Sequence, residues 1–330
     1  MDRKPLVQLR NVTKIFPVGR RTLRAVNDVS FSIYPKEILG LAGESGCGKS
    51  TVGKLITGLL EPTKGEVLYD GRSLQSLSRN AMRALRREIQ IVFQNPATSL
   101  NPRMTVAEIM AEPYEIHGQA YGEHRRKEIL ELFDTVSLSR DLLQRMPHEL
   151  SGGQKQRVNI ARALALKPRF LVCDEPLSSL DLMVQSQVVE LLISLHKEMG
   201  LTILFISHDL SLMRYLTHRM AVMYMGNLVE LAPTESLFQD PHHPYTKMLL
   251  SAIPNHQERQ FLPVLPQGEM PSPFIEMAGC SFRSRCPYAT PVCSTTKPEL
   301  QERVQGRSSA CHLMALSELA SSMARIFIPI

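Results

Sequence analysis

The stretch Gly43-Glu44-Ser45-Gly46-Cys47-Gly48-Lys49-Ser50-Thr51 has the residue types and spacing of a phosphate-binding loop. Backbone N–H groups must converge on phosphate oxygens there, so side chains must be absent at the tight points. Lys49 supplies a cation for β- and γ-phosphates, and Ser50 offers a hydroxyl to Mg²⁺. A chance match arises in roughly one chain of this length in a hundred, so the context decides. A second group lies downstream, where the apolar run Phe170-Leu-Val-Cys173 ends in Asp174-Glu175. Asp174 suits Mg²⁺, directly or through water. Glu175 suits a general base that polarises the attacking water. Solvated acids at a strand end are the ordinary alternative; a phosphate loop upstream favours the catalytic one. His208 follows another apolar run, Phe205-Ile-Ser-His.

These groups need a scaffold that brings loop, acids and histidine together. Leu6–Val12, Val29–Ile33, Glu37–Ala42, Glu66–Tyr69, Ile89–Phe93, Phe170–Cys173 and Thr202–Ile206 read as strands. Lys49–Leu60, Ser78–Arg87, Thr105–His117, Glu123–Val136, Gly152–Leu166 and Asp181–Met199 read as helices. Arg219–Met225 and Asn227–Leu231 read as a late hairpin across Gly226. Strands alternating with helices predict an α/β core, partly parallel. In such a sheet the strand C-termini line the ligand crevice, which places His208 near the γ-phosphate. The phosphate loop fits this frame, between an apolar strand and a helix.

Composition narrows the classes. Hydrophobic residues are 43% and charged residues 21%, near the globular average, which excludes disorder over most of the chain. The net charge of +6 permits nucleic-acid binding without demanding it. No apolar run reaches the ~18–20 residues of a spanning helix, and the start has no apolar signal core. A cytosolic chain is expected. From about Pro254 prolines multiply, and four of the six cysteines follow: Cys280, Cys286, Cys293 and Cys311. In a reducing compartment that clustering points to metal or cluster ligation more than to disulfides. Cys47 and Cys173 read as small filler residues, and His242-His243 as a surface turn more than as a metal-binding pair.

Leu150-Ser151-Gly152-Gly153-Gln154 opens a helix with a small, polar, glycine-rich N-terminus, a second potential anion site. One nucleotide does not need two phosphate loops from one chain. The economical arrangement is that this loop caps ATP held by a different subunit.

At this point the sequence resembles the ATP-binding subunits of ABC transporters. Gly43–Thr51 matches Walker A, Phe170–Glu175 Walker B, and Leu150–Gln154 the family signature. Gln94 matches the Q-loop, Ser179-Leu180-Asp181 the D-loop, and His208 the switch histidine. Phe16 stands where an aromatic residue stacks on adenine. The resemblance implies the P-loop cassette fold, with an antiparallel β subdomain, and two subunits sandwiching two ATPs. Glu175 would activate water, His208 would contact the γ-phosphate, and Gln94 would sense Mg²⁺. The Asn95-Pro96, Ser99–Arg103 and His243–Pro254 stretches and the cysteine-bearing tail resemble the oligopeptide and dipeptide importer branch, whose texture nickel importers share. A soluble, non-transport ABC ATPase is the other reading.

The branch implies a related but distinct second ATPase in a heterodimer, two membrane permease subunits, and indirectly an extracytoplasmic solute-binding protein. It implies no nucleic acid, and a peripheral position at the cytoplasmic face of the cell membrane. The expected organisation is a cassette over 1–253 with a helical subdomain at about 97–166. A Pro-rich linker over 254–279 and a Cys-rich module over 280–330 follow. Some members of the branch carry a 4Fe–4S cluster on such a tail. Zinc usually shows a tight C-x2–4-C pair, which this tail lacks, so a cluster is expected ahead of zinc or unrelated thiols.

Overall fold

The computed structural model describes residues 4–119, 122–178, 180–253, 271–272, 274 and 278–313. Ser179, most of the expected linker and residues 314–330 lie outside that range. The elements run β1 (Val7–Val18), β2 (Arg21–Ile33), β3 (Ile38–Ala42), α1 (Lys49–Ile56), β4 (Lys64–Tyr69), β5 (Arg72–Ser73), α2 (Arg79–Leu85) and β6 (Ile89–Val92). Next come α3 (Pro96–Ser99), α4 (Val106–Ile116), α5 (Glu123–Thr135), α6 (Gly152–Leu164), β7 (Phe170–Asp174), α7 (Leu182–Met199), β8 (Thr202–Ile206) and α8 (Leu210–Leu216). Last are β9 (Arg219–Tyr224), β10 (Asn227–Pro233), α9 (Thr234–Gln239), α10 (Pro244–Ser251), α11 (Val292–Thr295), β11 (Gln301–Val304) and β12 (Arg307–Ser309).

Among the described residues the strands form two sheets. The smaller has the order β2-β1-β4-β5, and the larger β11-β12-β10-β9-β3-β8-β7-β6. Strands β6, β7, β8, β3 and β9 pair in parallel. Every residue of β3, β7 and β8 is buried, as central parallel strands covered on both faces require. The register pairs Leu41 and Asp174 with Ile206, so the three strands end at the same level. Gly43, Glu175 and His208, each just past its strand, therefore emerge on one side of the sheet.

Three local readings change. The first strand does not stop at Val12 but runs to Val18 and returns from Arg21 as a long hairpin. Asn11 takes a positive φ of 48° and the pairing shifts register beyond Leu9, which breaks the alternation that marks a strand. The first helix ends at Ile56, four residues short of Leu60, with Thr57 as its C-cap. His242 and His243 are buried rather than on a surface turn. Their backbone N–H groups donate to the two carboxylate oxygens of Glu230 at 2.7 and 2.9 Å. Burial holds the His243 ring down at about 3, so it stays neutral and its Nδ1 accepts the Tyr245 N–H that opens α10.

Helices α3 to α6 lie between β6 and β7. Thr105 and Glu108 cap α4 reciprocally, and Val106, Ile109, Met110 and Tyr114 bury one face of it. Strands β11 and β12 join the larger sheet through β10, pairing Glu230 with Ser309 and Leu231 with Ser308. Among the described residues no helix is long and apolar enough to cross a membrane.

Candidate active site

The phosphate loop links the buried strand β3 to α1. Gly48 takes φ 107°, and a Cβ there would lie 2.1 Å from the Ala25 carbonyl oxygen, so both conformation and space exclude a side chain. Lys49 is buried, and its Nζ donates to the carbonyls of Gly43 at 2.7 Å and Glu44 at 3.0 Å. The ammonium is thus folded across its own loop. Ser50 Oγ donates to Asp174 Oδ1 at 2.8 Å. Burial pushes the Asp174 carboxyl up, and the Ser50 hydrogen bond opposes that. Burial likewise raises the Cys47 thiol, and Cys173 is fully buried, as filler residues would be.

Glu175 sits just past β7 with φ 45°, a left-handed conformation that costs a non-glycine residue of order 1–3 kcal/mol. Its N–H, tied to the Ile206 carbonyl at 3.0 Å, holds it there. Gln94 Nε2 donates to Glu175 Oε2 at 2.8 Å, and His208 Nδ1 stands 3.7 Å from Oε1. Two residues from separate strand ends therefore converge on a carboxylate at a third strand end. A base oriented in this way beside a phosphate site can align and deprotonate a water molecule.

A cavity of about 860 Å³ opens over the loop, within the size range of small-molecule sites. It is lined by Phe16, residues 44–51, Gln94 and Glu175. Lys14 Nζ lies over the Phe16 ring, 5.2 Å from its centroid. Sequence reasoning missed several walls, two of them residues 22–25 of β2, and Phe274, Gly279, Ser281 and Lys297 from the C-terminal part. Neither wall carries a local motif; only the tertiary fold brings them there.

The glycine-rich segment 151–154 is placed elsewhere. Ser151 caps α6, its Oγ accepting from Gln154 N–H at 3.3 Å while Gln154 Oε1 accepts from Ser151 N–H at 2.9 Å. Gly153 packs so tightly that a Cβ would lie 2.7 Å from Val184 on α7. Asp181 caps α7, accepting from Val184 N–H at 3.0 Å. None of Ser151, Gly152, Gly153, Gln154 and Asp181 lines the cavity of this chain.

Cys280, Cys286, Cys293 and Cys311 all line one narrow hollow beside Phe282, Tyr288 and His243. Burial pushes the Cys280 and Cys286 thiols up to about 11. Among the described residues, no three His, Cys, Asp or Glu side chains are grouped to hold a single metal ion.

The parallel sheet, the loop at its strand ends and the carboxylate pair across from it define a P-loop nucleoside-triphosphatase cassette. The family described as "ABC transporter" matches residues 26–178, and "Oligopeptide/dipeptide transporter, C-terminal region" matches residues 229–293. The chain is 48% identical to the putative oligopeptide transport ATP-binding protein YkfD of Bacillus subtilis (strain 168), over 96% of this chain and 98% of the relative. It is 42% identical to the oligopeptide transport ATP-binding protein AppF of the same organism, over 94% and 98%. A dimeric post-hydrolysis structure of the ATP-binding cassette MJ0796 bound to ADP and Pi is 34% identical. It has a TM-score of 0.64 and covers 69% of this chain and 98% of that one. The chain belongs to the ATP-binding subunits of ABC transporters, and it is an ATPase.

Proposed function

We propose that this chain energises uptake of di- and oligopeptides, seated peripherally at the cytoplasmic face of the cell membrane against two permease subunits. The observation that carries the hydrolytic role is the convergence of Gln94 and His208 on Glu175 beside the phosphate loop. Likeness over residues 229–293 to the oligopeptide/dipeptide transporter C-terminal region supports the peptide substrate. The names of its relatives, both oligopeptide transport proteins, do so too.

ATP fills the cavity with adenine on Phe16 and the triphosphate along residues 43–51. Ser50 and Asp174 present hard oxygen donors already 2.8 Å apart, which fit a small divalent cation, with Gln94 nearby. Bound Mg²⁺ neutralises charge on the β- and γ-phosphates. Lys49 turns from its loop carbonyls to the phosphates. Glu175 takes the proton of the attacking water, and His208 holds the γ-phosphate end of the site. Ser151–Gln154 and Asp181 complete the site of a second, related ATPase, whose own equivalents close this one. Such a divided site works only when closed, because phosphoryl transfer is mostly positioning and charge stabilisation. A tagged chain purified from membranes should bring two hydrophobic permeases and a distinct ATPase. Its turnover should rise with peptide-loaded binding protein. Recovery alone, or no response to peptide, would overturn the transport reading.

The hollow at Cys280, Cys286, Cys293 and Cys311 fits a 4Fe–4S cluster in donor number and type. When bound, the cluster supplies a covalent staple and a one-electron centre. The four thiols would hold it, and Phe282 and Tyr288 wall the hollow. Protein purified without oxygen should be brown and absorb in the blue, and iron chelation should bleach it. Colourless protein with stoichiometric zinc would sink the assignment.

A further inference from the structure

We infer that Arg285, from the cysteine-bearing segment, is a positioning residue for the phosphate loop. Its two terminal nitrogens donate to the Glu44 carboxylate at 2.9 and 3.1 Å, a bidentate pair across 241 positions of sequence. Only a planar guanidinium makes that fork, so lysine is not its equal. Arg285 is itself buried, 7% exposed. Its guanidinium lies 5.8 Å from the Tyr224 ring centroid and 6.0 Å from that of Phe282. Tyr224, Tyr245 and Phe282 pack as a trio with centroids 4.7–5.4 Å apart, which fixes the arginine stem in place.

Glu44 is thereby gripped at three points. Its N–H donates to Tyr245 Oη at 2.9 Å, its carboxylate takes Arg285, and its carbonyl accepts from Lys49 Nζ at 3.0 Å. Tyr245 and Arg285 both lie beyond the catalytic motifs, and both act on the second residue of the loop. The loop is held in its ATP-ready shape by the C-terminal part of the chain, so less ordering remains to be done when ATP binds. Arg285 does not itself line the cavity and acts through Glu44, which does. This inference rests on residues 43–51 being the nucleotide site.

The test uses the assembled transporter and follows KM for ATP separately from kcat. Losing a preorganising charge pair removes binding made equally in ground and transition states, so Arg285→Ala should raise KM about 10-fold and leave kcat within about 2-fold. Arg285→Lys should recover only part of that. Glu44→Gln should match Arg285→Ala, and the double variant should be no worse than either single one. Additive effects, or unchanged KM in both single variants, overturn the inference. Should Arg285→Ala fail to fold, Arg285→Lys decides, because it keeps the buried stem and charge and loses only the fork; an unchanged KM there overturns the inference. Lys49→Ala keeps the two readings apart. Unchanged ATP affinity in that variant would mean the loop is not the nucleotide site, whereas a weakened Lys49→Ala beside unaltered Arg285→Ala and Glu44→Gln would defeat the positioning role alone.

Discussion

Glu175→Gln should cut phosphate release from the nucleotide held on this subunit by roughly 10²–10⁴-fold, the range a positioned general base contributes. The amide keeps the shape of the carboxylate. By turning its carbonyl oxygen toward Gln94 Nε2, it keeps the 2.8 Å contact made there. It cannot accept a proton from water. ATP binding should persist, because in the proposed site residues 43–51 hold the triphosphate and Ser50 and Asp174 the cation. Single-turnover phosphate release in the assembled transporter, with nucleotide occupancy followed in parallel, reads both arms. Undiminished release would remove Glu175 from the mechanism, and lost occupancy would make it a binding residue instead.

Gly48→Ala should abolish tight ATP binding by a different physical route. The new methyl would meet the Ala25 carbonyl oxygen at 2.1 Å, with backbone at φ 107°. Backbone is not the flexible end of a side chain, and Ala25 lies within β2 beside the fully buried Val26. Either the strand shifts or the loop opens, and the backbone strain alone is about 1–3 kcal/mol. At 1.4 kcal/mol per tenfold that is roughly 5–140-fold in affinity before the collision is added. Gly46→Ala supplies the comparison: φ is 78°, but a Cβ there meets nothing within 4 Å. Titration with a fluorescent ATP analogue should therefore rank Gly48→Ala well below Gly46→Ala. Equal losses would show that conformation alone governs the loop.

What was legible in the chain was what is local. The phosphate loop, the acids after Phe170–Cys173 and the histidine after Phe205 are each encoded within a few neighbours, and parallel pairing then aligns the strand ends. The long first hairpin was not legible, because the backbone turn at Asn11 destroys the alternation. Nor was the burial of His242 and His243, whose partner Glu230 lies on β10 and whose need for two N–H donors leaves no trace at the histidines themselves. The second wall of the cavity, and the hold of Arg285 on Glu44, depend on a C-terminal segment folding back across the whole cassette. No spacing rule reports such a return.

That return also governs where the chain can be cut. With β12 hydrogen-bonded to β10, the larger sheet finishes in β11, a four-residue strand of Gln-Glu-Arg-Val. A short, charged outermost strand discourages pairing with other molecules. Removing residues 301–309 would bare one side of β10, where Leu228–Ala232 are all buried in the intact protein. The N–H and C=O groups freed around Glu230 and Leu231, on a largely apolar strand, would form a template for intermolecular association. The C-terminal hairpin is thus a solubility device, and an excised cassette ending near Ile253 would tend to aggregate even with every catalytic residue in place.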